Sequence, residues 1–267
     1  MSTQVKSDQQ PLTGPLMQSW DRYTEEDHEV WQILYAKRMA ELESTASGVF
    51  LRGAEIIGLS ERQIPDLAEV NRRLSARTGW NAVPVGGFLP AKEFFASLAR
   101  RRFPTTITIR SREGIDYVPE PDIFHDVFGH VPLHSDTAFA SFLQRFGKAA
   151  SLASSDEEVE MMARLFWFTV EFGLIQEDGK PKIYGSGLIS SAGDAANALG
   201  PKCDRRPFSV EAVMSQSFRI DTLQDTLFVV DSFDQLFEAV DIVLERMETG
   251  SVGWSRTKRF ESLGTAR

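Results

Sequence analysis

The chain has 267 residues, of which 42% are hydrophobic and 25% charged, the composition of an ordinary soluble globular protein. Its 29 basic and 38 acidic residues give a net charge of −9, which argues against broad binding to nucleic acid phosphates. The lone Cys203 excludes an internal disulfide framework. No run approaches the roughly 18 apolar residues of a membrane span, and residues 1–15 lack the apolar core of a secretory signal. We therefore expect a cytoplasmic protein with no nucleic acid or membrane partner.

The order of predicted elements indicates a mainly α fold with a few short β-strands, formed as a single domain. We expect a flexible arm at 1–19, the folded domain at 20–250 and a polar tail at 251–267. Helices are predicted at 24–42, opened by a capping box, and at 49–59, 60–80 with a bend near Pro65, 91–102, 137–153, 156–174 and 233–247. Strands are predicted at 105–110, 182–188 and 226–233, and a loop marked by glycine and proline at 83–90.

Three of the four histidines lie within ten residues, in the run PEPDIFHDVFGHVPLHSD. In an α-helix that turns about 100° per residue, His125 and His130 diverge by roughly 140°, so both rings reach one metal only if the helix is distorted or ends between them. Gly129 and Pro132 favour an end there. Pro132 also spoils a regular face for His130 with His134, so His125 and His130 are the preferred ligands. Two histidines with structural hydrogen bonds are the alternative.

Acidic side chains strengthen the interpretation as a metal site. Glu120, Asp122 and Asp126 offer carboxylates to the second ring nitrogen of a ligating histidine. Glu171 is the one charge in LFWFTVEFGL, and buried glutamates are rare unless they are paired or bind a metal. The alternative is a glutamate at a helix edge, with its carboxylate in water.

Two histidines and one carboxylate leave three positions open on an octahedral metal, the pattern of non-haem Fe(II) that reacts with O2 and a cosubstrate. Zinc hydrolases more often use a tetrahedral set with one open position. A metal-binding protein without redox chemistry is the alternative from another class.

The runs DYVPEPDIFHDVFGHVPLHSDTAF, FWFTVEFGL and YGSGLISS occur in the same order as in the pterin-dependent aromatic amino acid hydroxylases. Over about residues 20–250 the chain resembles the catalytic domain of that family, most closely its bacterial members that hydroxylate phenylalanine. The resemblance implies one Fe(II) bound by His125, His130 and Glu171. It also implies that O2 is reduced with a tetrahydropterin, that an iron(IV)-oxo species attacks the aromatic ring, and that L-phenylalanine becomes L-tyrosine.

The same resemblance assigns residues to the substrate and pterin sites. Arg110 aligns with the arginine that holds the substrate carboxylate, a task suited to a bidentate guanidinium pair, and Asp122 would orient it. Ser190 matches a serine near the substrate and a histidine ligand. Four positions correspond to the pterin site: Gly87, Leu89, Phe94 and Asp126.

Apolar side chains must surround the reacting centre, because a high-valent iron species needs a cavity that does not quench it. The candidates are Phe124, Phe128, Trp167, Phe168 and Phe172. Core packing is the preferred interpretation of Phe128 and Phe168. Family members that act on tryptophan tend to have phenylalanine in place of Trp167, so we expect phenylalanine as substrate, with a tryptophan 5-hydroxylase or mixed specificity as the alternative.

The resemblance also bears on assembly. The chain before Trp20 is too short for the regulatory domain of the animal enzymes, and residues 251–267 contain no heptad pattern for a tetramerisation helix. We expect an unregulated monomer, or a weak dimer at most.

Overall fold

The computed structural model describes residues 16–87, 89–116 and 121–249, and the described part is mainly helical, as predicted. The α-helices are α1 Glu25–Thr45, α2 Gly48–Ile57, α3 Leu67–Thr78, α4 Ala91–Ala99, α5 Thr137–Ala150, α6 Asp156–Phe166, α7 Ser186–Ser190, α8 Ala192–Leu199, α9 Val210–Ser215 and α10 Asp234–Thr249. Phe124–His130 is the first π-helix, Trp167–Glu171 the second, and Trp20–Arg22 and Val131–Ser135 are 3-10 turns. Among the described residues, no helix has both the length and the apolar character needed to cross a membrane.

The described strands form two small sheets. They are β1 Asn81–Pro84, β2 Arg102–Thr105, β3 Leu174–Glu177, β4 Lys180–Ile183, β5 Asp204–Pro207 and β6 Thr226–Val230. β1 and β2 pair in parallel, and the other four lie in the order β4-β3-β6-β5, with β3 antiparallel to β4 and parallel to β6. β6 lies within the strand predicted at 226–233. The unpredicted β1, β3 and β5 have only four residues each, too few for a clear alternation of buried and exposed positions.

Caps determine where the first helices begin. The capping box predicted at Thr24 and Asp27 is present, with the Asp27 N–H 3.2 Å from Thr24 Oγ1. The helix predicted from Ser60 is wrong in its first turns, because α3 begins only after Pro65. Proline has no N–H for a helical bond, and Asp66 then accepts the Ala68 N–H at 2.8 Å as the new N-cap.

The strand predicted at 105–110 is displaced along the chain. α4 ends at Ala99 instead of residue 102, and β2 then buries three of its four residues. From Thr106 to Arg110 the chain no longer pairs with β1. The N–H groups of those two residues bond to aspartate carboxylates instead, which explains why the strand ends early.

The strand predicted at 182–188 is correct only at its start, because β4 ends at Ile183 and α7 follows. Close packing explains the change of direction at Gly185. A Cβ atom there would lie 2.4 Å from the carbonyl oxygen of Glu171 and 2.4 Å from the amide nitrogen of Gly173. The glycine allows α7 to lie directly against the second π-helix.

Aromatic side chains fill the core beneath the π-helices. Phe128 is fully buried and contacts four aromatic rings at centroid distances between 4.5 and 6.4 Å. Phe168 is 1% exposed and packs edge-on against Phe228 at 5.2 Å. The core interpretation of Phe128 and Phe168 is therefore confirmed, and Phe124 is fully buried as well.

Only the end of the predicted N-terminal arm is described. Gln18 donates to the carbonyl oxygen of Pro65 at 2.9 Å and accepts the Leu67 N–H at 2.8 Å, which attaches this part of the chain to the start of α3. Residues 1–15 and the predicted tail at 251–267 lie outside the described residues.

Candidate metal centre and substrate cavity

The three candidate ligands lie on the two π-helices. Backbone bonds in a π-helix join residues five apart, so His125 and His130 lie close to the same face. The prediction that Gly129 and Pro132 end the helix between the histidines is wrong, because the helix continues through His130 with a wider winding. The spacing also allowed a distorted helix that carries both histidines, and the structure has this arrangement, as a π-helix.

The ligand atoms of His125, His130 and Glu171 converge. The two histidine Nε2 atoms are 3.3 Å apart, and the Glu171 carboxylate oxygens lie 3.2 Å from His130 Nε2 and 3.7 Å from His125 Nε2. A metal with bonds of about 2.0–2.2 Å holds its ligand atoms about 3–3.5 Å apart. The donor set therefore fits one ion, and two imidazoles with one carboxylate are the donors of non-haem Fe(II) sites.

The short helix α7 bonds to two of the three ligands. The Ser190 hydroxyl donates to the Ser186 carbonyl oxygen at 2.8 Å and lies 2.9 Å from His125 Nδ1. Because that hydroxyl proton is already used, the network assigns the ring proton to Nδ1, which donates to Ser190 Oγ and leaves the Nε2 lone pair for a metal. The Ser186 hydroxyl donates to Glu171 Oε2 at 2.7 Å.

The acids near His125 bond to partners other than its ring. Asp126 accepts the Thr106 N–H at 2.6 Å and the Thr106 hydroxyl at 2.9 Å, and Asp122 accepts the backbone N–H of His125 at 3.0 Å. The expectation that Asp122 or Asp126 accepts the ring proton is therefore wrong, because a serine hydroxyl does so. Glu120 lies outside the described residues.

The electrostatics of the centre favour an ionised carboxylate. Burial raises the pKa of Glu171, but the facing His130 and His125 and the Ser186 hydrogen bond outweigh it and lower the pKa to about 2. Glu171 is thus charged at neutral pH, the state that a metal ligand requires. Asp126 differs, because burial raises its pKa.

His134 lies apart from this centre. It is fully buried, its Nδ1 donates to the His130 carbonyl oxygen at 2.9 Å, and its ring packs against Trp80 and Phe103 at 4.7 and 4.8 Å. Burial lowers its pKa to about 3, so the ring is neutral. The third histidine of the cluster is part of the core.

A buried ion pair lies beside the first π-helix. Arg110 Nε is 2.8 Å from Asp122 Oδ2 and Nη2 is 2.9 Å from Oδ1, with side-chain exposures of 9% and 4%. Burial alone raises the pKa of Asp122, but Arg110 and two backbone N–H groups outweigh it and lower the pKa. One edge of the guanidinium is thus occupied, and the Nη1–Nη2 end keeps donors for another anion because Nη1 makes only a 3.4 Å contact to the Ile115 carbonyl.

One cavity of about 1880 Å³ joins these groups, more than a single small ligand fills. Asp122 does not line this cavity, and it contacts Arg110, which does. Phe124, a candidate for the cavity wall, is fully buried and does not line the cavity. The other residues predicted to bind the metal, the substrate or the pterin do line it: Gly87, Leu89, Phe94, Arg110, His125, Asp126, His130, Trp167, Glu171, Phe172 and Ser190.

Aromatic side chains that the sequence did not single out complete the wall. Phe218 stacks on Trp167 at 4.7 Å with an interplanar angle of 21°, and Trp167 Nε1 donates to Gln224 at 3.2 Å. Phe166 contacts Phe94 edge-on at 5.4 Å. Phe166 lies within the glutamate motif FWFTVEFGL, so its proximity to Glu171 is the signal that could have suggested it. Phe218 and Gln224 lie in an irregular segment about 50 residues away, with no local pattern to reveal them.

Comparison with known proteins gives consistent matches. The family described as biopterin-dependent aromatic amino acid hydroxylase matches residues 17–249. The phenylalanine-4-hydroxylase of Chromobacterium violaceum is 42% identical over 225 residues, which cover 84% of this chain and 76% of that protein.

Two solved structures of phenylalanine hydroxylase from the same organism are similar throughout. One, with bound iron(III) and oxidised 7,8-dihydrobiopterin, has a TM-score of 0.84 at 41% identity and covers 90% of this chain and 88% of that one. The other, with bound iron and phenylalanine, has a TM-score of 0.81 at 39% identity and covers 88% and 87%.

Proposed function

The chain belongs to the biopterin-dependent aromatic amino acid hydroxylases, and we propose that it hydroxylates L-phenylalanine to L-tyrosine with Fe(II), O2 and a tetrahydropterin. One observation carries the proposal: two histidines and a glutamate converge within 4.8 Å, in a cavity that also presents an arginine for a carboxylate. Residues 20–250 are the catalytic domain.

His125, His130 and Glu171 hold the iron. Iron and the tetrahydropterin, when bound, supply the activation of O2 and the electrons that reduce its second oxygen atom. Ser190 keeps the His125 proton on Nδ1, and Ser186 fixes one carboxylate oxygen of Glu171. These bonds hold the donors in one orientation before the metal arrives.

Arg110 binds the carboxylate of the substrate. Its Nε–Nη2 edge is fixed by Asp122, so the Nη1–Nη2 end is presented in one direction. Electrostatic attraction and two parallel hydrogen bonds then place the amino acid backbone at a set distance from the metal ligands.

Trp167 and Phe172 hold the aromatic ring. Their rings are 4.6 Å apart, and Phe218 also stacks on the indole, at 4.7 Å. This wall excludes water from the ring and limits the size of ring that fits.

The pterin lies against Gly87, Leu89, Phe94 and Asp126. Gly87 has φ +147°, a conformation open to glycine, and a Cβ atom there would meet nothing within 4 Å, which supports close approach of a ligand to the backbone. Thr106 fixes the Asp126 carboxylate through two hydrogen bonds.

The enzyme acts as a cytoplasmic monomer. A single cysteine, Cys203, buried in the fold, fits a reducing compartment. Light scattering of the purified chain measures the oligomeric state directly, and a mass near 30 kDa is expected from the 29.9 kDa chain.

The test is tyrosine formation from phenylalanine with Fe(II), O2 and a tetrahydropterin, with tryptophan as competing substrate. Glu171→Gln is the control, because it keeps the shape of the side chain but removes the ligand charge. Phenylalanine turnover that exceeds tryptophan turnover and is lost in Glu171→Gln is expected. Folded, iron-loaded protein that consumes no O2 contradicts the proposal and favours a metal-binding protein without redox chemistry.

A further inference from the structure

A buried arginine on α1 bonds to α7, the helix whose serines bond to two of the three candidate metal ligands. Arg38 is 2% exposed, although arginine is rarely buried without a reason. Its Nε donates to the Ile189 carbonyl at 2.8 Å and its Nη2 to the Leu188 carbonyl at 3.1 Å. Its Nη1 bonds to Glu41, whose side chain is 52% exposed. Two of its three bonded nitrogens therefore donate to the backbone of α7.

These carbonyls belong to the residues just before Ser190. The last carbonyls of a helix have no partner within it, and a cation at that end satisfies them and complements the helix dipole. α7 has only five residues, too few to be stable alone. Its position thus depends on contacts with its neighbours, and Arg38 supplies two hydrogen bonds across about 150 residues of sequence.

The position of α7 determines where the hydrogen-bond partners of two metal ligands lie. Ser190 accepts the Nδ1 proton of His125 and Ser186 donates to Glu171, so a shift of this helix moves the partners of two ligands together. We propose that Arg38 is a positioning residue for the metal centre, acting through α7 on Ser190 and Ser186. The identity of the metal rests on the proposed function, whereas the role of Arg38 in binding a divalent ion does not.

A second role for Arg38 must be separated from this one. The side chain lines the same cavity as Arg110, so it could instead hold a substrate carboxylate. The geometry favours positioning, because the guanidinium already donates to two carbonyls and an acid. Burial also lowers the pKa of Arg38, an effect that Glu41 opposes.

The experiment compares Arg38→Gln and Arg38→Lys with Arg205→Gln. Arg205 is the matched control, because its Nη1 donates to the Ala198 and Gly200 carbonyls at 2.8 and 2.7 Å at the end of α8, which carries no metal ligand. Binding of Co(II) to the metal-free protein is titrated, and the visible spectrum of the Co(II) form reports ligand geometry. Urea unfolding without metal measures stability, and steady-state kinetics gives the KM for phenylalanine.

In Arg38→Gln, Co(II) should bind about tenfold more weakly with a changed spectrum, because loss of outer contacts to metal ligands costs about 10- to 100-fold and Arg38 acts one step further out. Arg38→Lys should recover part of the affinity, since it keeps the charge but not the two-carbonyl contact. Arg205→Gln should match the wild-type affinity and spectrum even where its urea midpoint falls equally.

Three results overturn the proposal. The first is Co(II) affinity in Arg38→Gln within about twofold of wild type, given the larger loss expected for ligand positioning. The second is an equal loss of affinity in Arg205→Gln, which would reduce the effect to general stability. The third is a raised KM for phenylalanine with unchanged Co(II) binding, which would assign Arg38 to the substrate. The Co(II) titration measures metal binding without turnover. It therefore tests the role of Arg38 even if the protein has no hydroxylase activity.

Discussion

Substitution of Arg110 by lysine tests the substrate site most directly. Lysine keeps the positive charge but presents a single point donor, so it cannot pair with Asp122 and with a substrate carboxylate in the geometry of a guanidinium. One charge-assisted hydrogen bond to the substrate is lost and the other is displaced, a cost of about 2–3 kcal/mol. At about 1.4 kcal/mol per tenfold, the KM for phenylalanine should rise about 30- to 150-fold.

The assay varies phenylalanine at saturating tetrahydropterin, and then the reverse. The KM for the pterin should stay constant, and binding of 2-phenylethylamine, which has no carboxylate, should be equal in both proteins. Arg112→Lys is the matched control, because Arg112 is half exposed and pairs with the surface residues Glu26 and Glu29. A rise confined to the pterin KM would refute the reasoning and assign Arg110 to the cofactor.

Three further substitutions test the cavity wall, the packing of α7 and the buried histidine. Trp167→Phe should raise the tryptophan-to-phenylalanine ratio of kcat/KM a few-fold, about 1 kcal/mol, because the smaller ring leaves more room. Gly185→Ala should weaken Co(II) binding far more than Gly193→Ala, since a Cβ at Gly185 lies 2.4 Å from the Glu171 carbonyl and one at Gly193 meets nothing within 4 Å. His134→Leu should flatten the acid side of the stability profile. The pKa of His134 falls from 6.5 to about 3 on folding, so the unfolded chain takes up the proton first, and stability is lost as pH falls from about 6.5 towards 3, by up to about 1.4 kcal/mol per pH unit.

Each of these expectations has an opposite outcome. A lower melting temperature in Trp167→Phe with an unchanged substrate ratio would make the indole a core residue only. Equal metal affinity in the two glycine variants would mean that the second π-helix tolerates displacement. The unfolding free energy of His134→Leu should fall less steeply with pH than that of the wild type between pH 6.5 and 4. If it does fall as steeply, the acid sensitivity comes from other groups. The reference variant is His28→Gln, because His28 is a partly exposed histidine.

The sequence predicts the parts of this fold that depend on local pattern. The capping box at Thr24 and the helices around the core follow from side chains within one or two turns. The isolated acid Glu171 was singled out as a ligand because an unpaired charge in an apolar helix requires a partner. This inference does not require knowing which group binds the Glu171 carboxylate.

Other features depend on contacts that no local pattern encodes. Arg38 bonds to carbonyls about 150 residues away, and Gln224 bonds to Trp167 across 57 residues. The run KIYGSGL predicts a strand over residues that form α7, where Gly185 and the packing against Glu171 decide the conformation. Tertiary contacts override local preference most where the site is assembled.

The two π-helices bring together side chains that lie five residues apart in the chain. In the second π-helix the Phe172 N–H donates to the Trp167 carbonyl at 2.9 Å, and the rings of these two residues are 4.6 Å apart. The same spacing brings His125 and His130 together. Because π-winding is uncommon and concentrates at functional sites, two groups of related chemistry five residues apart in a helical run are themselves a signal for it. In this chain that signal marks both the metal ligands and the aromatic wall, which places the winding of the backbone among the determinants of the site.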